Sequence, residues 1–400
     1  MNEKLYKDSL EIINFAIDNC KPEKLIKDAL KHFDTPKGNV YMIAIGKAAY
    51  PMAKETLNNI NVYKGIVITK YGYRKEDLNN TEIYEAGHPL TNKDSIRATE
   101  KVIELVKDVT KDDSIIFLLS GGGSSLFELP LIDLDEYIDI TNRLILSSAT
   151  IEEINAVRKK LSSVKGGKFA NLCKPANIFN VILSDVISNK LDVVASGPTL
   201  KDTNSIKAID VINKYSIDIS KETKELIEKE DDLILDNVKT YSSIDNKTLI
   251  EYATLKSKQL GYEVIKVEKQ ITSDINKASK TLLSYLDNNK KKYIIIAGGE
   301  IVLNVKGKGL GGRNQELALR LAKNFKNDNI AAFCIGSDGT DGPTDAAGGF
   351  ADKSLIGDDL DSYLINNDSY HYLLHKGGLI KTGPTMTNVC DLYCLIVDEI

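Results

Sequence analysis

Ser114-Ile115-Ile116-Phe117-Leu118-Leu119 runs directly into Ser120-Gly121-Gly122-Gly123-Ser124-Ser125. A short apolar run of this kind suits a strand buried on both faces. A tight glycine turn at its end leaves backbone N–H groups free at the sheet edge, where anions bind. The same junction recurs as Tyr293-Ile294-Ile295-Ile296-Ala297 into Gly298-Gly299-Glu300. It recurs again as Ile330-Ala331-Ala332-Phe333-Cys334-Ile335 into Gly336-Ser337-Asp338-Gly339-Thr340-Asp341-Gly342. Glycine-rich strand exits in both halves of the chain predict an enzyme that handles phosphate, built from two α/β units.

Outward from the first junction, the pattern alternates. Strands are expected at Val40–Ile45, Gly65–Thr69 and Glu82–Ala86, with another ending at Asp185. Helices are expected over 1–35, from Met52, over 93–108 behind a Thr91 or Asn92 cap, and over 135–150. This spacing argues a mostly parallel sheet covered on both faces. The second half predicts helices at Tyr252–Gln259 and Ile275–Leu286, and strands near 262–267, 293–297, 301–305, 330–335 and 390–397. Between the halves, Glu230–Thr248 has few periodic apolar residues and is the expected boundary.

With 400 residues the chain exceeds one ordinary core. A net charge of -5 favours neither nucleic acid nor an anionic membrane as partner. No run reaches the roughly 18 apolar residues of a membrane span. The N-terminal segment lacks a signal peptide's apolar core. The five cysteines are odd in number and scattered, apart from Cys390 and Cys394 in a strand-like segment that reads as core. A soluble cytoplasmic protein is expected.

Several residues stand where chemistry could be done. Lys47, in Ile45-Gly46-Lys47-Ala48-Ala49, leaves a buried strand where a lysine either reaches a phosphate or carboxylate or is simply solvated. Gly121, Gly122 and Gly123 permit left-handed backbone so that N–H groups converge on an anion, and Ser124 can donate or cap. The run is neither a Walker A loop nor a dinucleotide fingerprint. Asp185, at a strand exit, suits Mg²⁺ binding or proton abstraction from a hydroxyl, or an ordinary cap. Arg158, Lys159, Lys160, Lys165 and Lys168, with Gly166 and Gly167, line either an anion pocket or a basic helix face. Gly307, Gly309, Gly311 and Gly312 would be costly unless special backbone angles were needed, and they deliver Arg313 to a helix start, where its fork of donors matches an oxyanion. Asp338, Asp341 and Asp345 could hold Mg²⁺ or position a hydroxyl, or serve as turn residues. His88 follows a strand-like run and could touch a ligand, whereas the histidines have no metal-site spacing.

From near Val40 onward the chain resembles the class II glycerate 2-kinases, the MOFRL-domain proteins formerly labelled hydroxypyruvate reductases. The likeness rests on Ile45–Ala49, Ala86-Gly87-His88-Pro89, Leu119–Ser124, Ile154–Lys159 with Lys165-Gly166-Gly167, Leu183-Ser184-Asp185-Val186, Ala195-Ser196-Gly197-Pro198-Thr199, Gly298-Gly299-Glu300, Gly311–Glu316, Gly336–Gly342 and Gly383-Pro384-Thr385. The resemblance implies two α/β/α domains with mostly parallel or mixed sheets and an active-site cleft between them. A Rossmann-like domain is expected over 1–240 and a MOFRL-type domain over 241–400. It further implies ATP-dependent phosphorylation of D-glycerate at the 2-hydroxyl with a divalent cation, and its key lysine and arginine map to Lys47 and Arg313.

The resulting expectation gives catalysis to Lys47, Arg313 and Asp185, and phosphate binding to Gly121, Gly122, Gly123, Ser124, Lys165 and Gly166. Substrate contacts fall to His88, Asn155, Arg158, Asn314 and Thr340, and Mg²⁺ to Asp185, Asp338 and Asp341. The partners expected are a 2-hydroxy acid and ATP, and a homo-oligomer is left open. The chain departs from the family at Ser188-Asn189, at Leu200–Thr203, and at Met386 where glycine is usual. The alternatives are an NAD(P)H-dependent hydroxypyruvate reductase, against which stands the missing Gly-x-Gly-x-x-Gly fingerprint, and a non-catalytic nucleotide or sugar-acid binding protein.

Overall fold

The computed structural model describes residues 1–184, 190–229, 233–242, 244–287 and 289–398. The chain divides into two compact units, residues 25–242 and residues 1–24 with 243–400.

The 25–242 unit is built on six parallel strands: β1 (Val40–Ile45), β2 (Lys64–Lys70), β3 (Thr81–Ala86), β4 (Ser114–Leu119), β5 (Asn177–Ile182) and β6 (Val238–Tyr241). Their order is β3-β2-β1-β4-β5-β6. β4 is buried along its whole length, as its unbroken apolar run requires. Ile43, Ile45, Phe117 and Leu119 join Phe127 and Phe169 in a core from which water is excluded, each contributing about 1.5–3 kcal/mol by burial. Register pairs Ile45 with Leu119, so Gly46 and Ser120 leave the sheet side by side. The strand order reverses between β1 and β4, the switch point at which doubly wound sheets open a crevice for ligands. A separate apolar cluster joins the helices Leu134–Leu146, Ile151–Leu161, Ala208–Lys214 and Lys221–Glu228.

The other unit carries a mixed sheet of β7 (Glu263–Lys266), β8 (Tyr293–Gly299), β9 (Ile330–Gly336), β10 (Gly348–Asp352), β11 (Leu379–Ile380) and β12 (Asp391–Val397). The order is β11-β10-β9-β12-β8-β7, with only β7 and β8 parallel. β12 thus lies in the middle, antiparallel to both of its neighbours. Residues 301–305, expected as a strand, form none; Val302 makes only an isolated bridge to Asp274. β10 and β11 were not expected; Gly348 and Gly349, which open β10, are weak strand formers.

The N-terminal helix Glu3–Asp18 corrects the expected 1–240 domain. It buries Leu5, Ile12, Ile13, Ala16 and Ile17, an amphipathic spacing that needs a partner face. Helix Asn246–Gln259 supplies one, with Phe15 edge-on to Tyr252. Thr387 donates to the Cys20 carbonyl at 2.7 Å, and the Tyr262 hydroxyl to Asp8 at 2.6 Å. Residues 1–24 therefore pack with the C-terminal segment rather than with the sheet that follows them. All five cysteines are free and buried. Among the described residues no helix is long and apolar enough to cross a membrane.

Candidate functional site

In the 25–242 unit the expected residues converge at the exits of β1 and β4. The Lys47 N–H donates to the Gly121 carbonyl at 2.9 Å, and the Ala48 N–H to Ser120 Oγ at 3.0 Å, so the two turns are laced together. Gly46 has φ 120°, and a Cβ there would lie 2.2 Å from Ser120 Oγ. Gly122 has φ 87°, and its missing Cβ leaves the room that the His88 ring (3.0 Å) and the Lys47 side chain (3.3 Å) occupy. Gly122 also precedes the one-turn helix Gly123–Leu126, whose first N–H groups have no intrahelical acceptor. The Lys47 ammonium has no ion-pair partner among the described residues and stands beside this turn as an uncompensated cation. Burial and the neighbouring Lys47 and Lys70 push the His88 imidazole down to about 4, so it is neutral at physiological pH.

Behind the turn, Ser124 Oγ lies 3.1 Å from Ser196 Oγ, which donates to Asn155 Oδ1 at 3.0 Å. Ala195 and Ser196 have φ 50° and 61°, left-handed values that cost a residue with a side chain about 1–2 kcal/mol each. Such strain gathers where geometry serves a ligand. Arg158 is half-buried, and its Nε is buried without a partner among the described residues. Asp185 and the departure at Ser188-Asn189 lie outside the described residues.

Two expected phosphate ligands have other work. Lys165 is 0 % exposed, and its ammonium donates to the carbonyls of Ser124 (2.8 Å) and Phe127 (2.9 Å), 3.3 Å from the equally buried Glu128. The Tyr137 hydroxyl completes this pair at 2.5 Å from Glu128. The lysine holds the glycine turn through its carbonyls, and its fully buried ammonium has no exposed surface to offer a ligand. Gly166 has spent its N–H on the Ser196 carbonyl, at 3.0 Å. The basic stretch gave no warning, because charge pattern does not report burial.

In the other unit Arg313 opens the helix Arg313–Ala322. Its Nε and Nη2 grip Asp391 at 2.6 and 3.1 Å, and Nη1 reaches Glu300 at 2.9 Å. The Tyr393 hydroxyl donates to Asp391 at 2.9 Å and accepts from the Ile301 N–H at 3.1 Å. Burial pushes the Asp391 carboxyl up, and Arg313 opposes that shift. Asp391 and Tyr393 were missed: the only signal was a lone acid opening an apolar strand. Glu300 was visible in Gly298-Gly299-Glu300 but had no role.

Asp341 is buried and lends one oxygen to the Asn314 N–H (3.1 Å) and amide (3.2 Å), and the other to the Gln315 N–H (2.8 Å). It caps the Arg313 helix from outside, and burial pushes its carboxyl up to about 6. A carboxylate so enclosed by N–H donors is a poor metal ligand, and Asn314 is bound to it rather than to a substrate. Thr340 likewise turns its N–H and hydroxyl to Asp338 Oδ1, both at 3.0 Å. Asp338 keeps Oδ2 without a hydrogen bond among the described residues. No three acids or histidines gather as a metal cage among the described residues; Mg²⁺ usually takes only one or two carboxylates plus substrate phosphates.

The glycines before Arg313 are required by close packing. A Cβ on Gly307, Gly309 or Gly311 would lie 2.1–2.4 Å from Asn366, Asp368 or Ser369. The N–H groups of Lys306 and Gly307 go to Asn367, and that of Leu310 to Asp368. The expectation of special backbone angles there is corrected: none of these glycines has φ in the left-handed region. Met386, where the family carries glycine, does, with φ 61°. The 490 Å³ hollow lined by Phe33, Lys111, Asp112 and Lys239 lies at the strand starts of β4 to β6, the sheet edge opposite Lys47.

Residues 8–228 match the family model described as a domain of unknown function (DUF4147), and residues 293–391 match the MOFRL family. A D-glycerate 2-kinase from Thermotoga maritima is 41% identical over 409 residues, covering 98% of both chains. A glycerate 2-kinase from Pyrococcus horikoshii is 33% identical, covering 97% of this chain and 96% of its own. The crystal structure of glycerate kinase from Thermotoga maritima superposes with a TM-score of 0.94 at 40% identity, over 99% of this chain and 100% of that one.

Proposed function

Because the chain belongs to the class II glycerate 2-kinase family of MOFRL-domain proteins, we propose that it phosphorylates D-glycerate at the 2-hydroxyl, with ATP as donor, to give 2-phosphoglycerate and ADP. The observation that carries this reading is the Lys47 side chain packed against Gly122 at the β1/β4 switch point, its ammonium without an ion-pair partner among the described residues. A fixed cation beside a turn with free N–H groups offsets charge on a transferring phosphoryl group, and one well-placed donor of this kind is worth about 2.7–4 kcal/mol.

The remaining roles follow from what each group has free. The Gly121–Ser124 backbone takes phosphate oxygens, with Ser124 kept in place by Ser196 and Asn155. Arg158 takes the glycerate carboxylate, and neutral His88 donates or accepts one hydrogen bond without adding charge. Arg313 supplies a second cation for an anionic group of either substrate. Mg²⁺, when bound with the nucleotide, neutralises phosphate charge; Asp338 Oδ2 would hold it. Asp185 is left to orient the 2-hydroxyl and accept its proton.

The test is incubation with D-glycerate, ATP and Mg²⁺, followed by phosphorus NMR of the product. The expected signal is 2-phosphoglycerate, appearing in step with ADP. Exclusive 3-phosphoglycerate, or no transfer alongside oxidation of NAD(P)H by hydroxypyruvate, would overturn the reading.

A further inference from the structure

Arg313 offers five N–H donors, and three are engaged. The two carboxylates that engage them differ in kind. Asp391 is 2 % exposed, takes the guanidinium with both oxygens, and is itself braced by the Tyr393 hydroxyl, which also receives the Ile301 N–H. Its backbone is fixed as well, because it pairs with Gly299 on one side and Gly336 on the other. Glu300 is 47 % exposed, reaches Arg313 through one oxygen, and follows directly on β8. A buried, two-point pair cannot be parted without stranding a charge. A single-point pair in solvent is easily exchanged. With both acids attached the cluster carries net negative charge, which repels an oxyanion. With Glu300 turned away, the Arg313–Asp391 pair is neutral and regains an N–H for a ligand.

We propose that Glu300 is an exchangeable placeholder that a substrate's phosphate or carboxylate displaces from Arg313, while Asp391, braced by Tyr393, is the permanent tether that sets the guanidinium's orientation. This rests on the assignment of Arg313 to an anionic group of the substrates. Glu300 and Asp391 are positioning residues: each acts through Arg313.

The test measures KM for D-glycerate and for ATP, and the inhibition constant of inorganic sulfate, in Glu300→Gln, Asp391→Asn, Tyr393→Phe and Arg313→Met, with thermal melts to establish folding. Removing the placeholder's charge should lower the sulfate constant and one substrate KM about three- to tenfold. That gain should vanish when Glu300→Gln is combined with Arg313→Met and read on residual turnover. Asp391→Asn should lower kcat/KM at least thirtyfold; Tyr393→Phe, which keeps the ion pair, should lower it several-fold and serves if the first variant does not fold. A Glu300→Gln variant that binds sulfate no better, or gains equally without Arg313, overturns the placeholder. Wild-type kcat/KM in both Asp391→Asn and Tyr393→Phe overturns the tether. Arg313→Met with wild-type turnover would instead remove the underlying assignment, and this inference with it.

Discussion

Among the described residues Lys47 has no ion-pair partner, and its charge acts on the ring beside it. His88 shows what that cation costs nearby. Its folded-state pKa is lowered from 6.5 to about 4, first by burial and then by Lys47 and Lys70. The unfolded chain therefore takes up a proton that the folded chain refuses. The stability tied to this ring is present above about pH 6.5 and is lost as pH falls toward 4. An NMR titration should place the His88 midpoint near 4, and Lys47→Met should move it upward; a midpoint near 6.5 in the wild type would contradict the packing of this ring against Lys47. Met386 makes a second residue-scale test. Its left-handed backbone is strained for any side chain, so Met386→Gly should raise stability by about 0.5–1 kcal/mol in denaturant melts, after the entropy that glycine costs. Lys47, Gly122, Ser124 and Arg313 were legible in the sequence because each sits in a local motif. Asp391 was not, since its bond to Arg313 spans 78 residues and exists only in the folded sheet.

At the scale of elements, short helices are held by groups from elsewhere. The one-turn helix Gly123–Leu126 could not persist alone; the buried Lys165 ammonium ties down the carbonyls of Ser124 and Phe127 at its far end. Lys165→Met keeps the volume but strands Glu128, and should destabilise the protein by about 3–5 kcal/mol in denaturant melts. Adding Glu128→Leu should recover most of that loss. Recovery of stability without recovery of turnover would show that the ammonium positions the glycine turn for catalysis. A Lys165→Met variant as stable as wild type would contradict the buried pair. Asp341 performs the matching service for the Arg313 helix, giving its oxygens to the N–H groups of Asn314 and Gln315. Strands with continuous apolar runs, β1, β4, β8 and β12, were readable to within a residue or two. β10 was not, because Gly348 and Gly349 are weak strand formers. The reason for glycine there is tertiary: a Cβ on Gly348 would lie 1.9 Å from the Cys334 carbonyl.

At the scale of the whole molecule, two sheets of different logic share one chain. The parallel sheet is a doubly wound design whose switch point marks the Lys47 site. The mixed sheet sets β12 between β8 and β9, which brings Asp391 beside the strand exits that carry Glu300 and Asp338. The helix at the start of the chain belongs to the second unit although its sequence precedes the first. Amphipathic spacing showed that it must be buried, but not against which partner, because periodicity names a face and not its complement. The account's central claim is that the Lys47 cation, at the switch point of the parallel sheet, offsets charge on the transferring phosphoryl group. It is tested most directly by kcat/KM for D-glycerate in Lys47→Met, with thermal melts to establish folding. We expect the change to lower kcat/KM about a hundredfold or more, chiefly through kcat, as loss of a group acting on the transition state does. Turnover within a few-fold of wild type in a folded variant would contradict it.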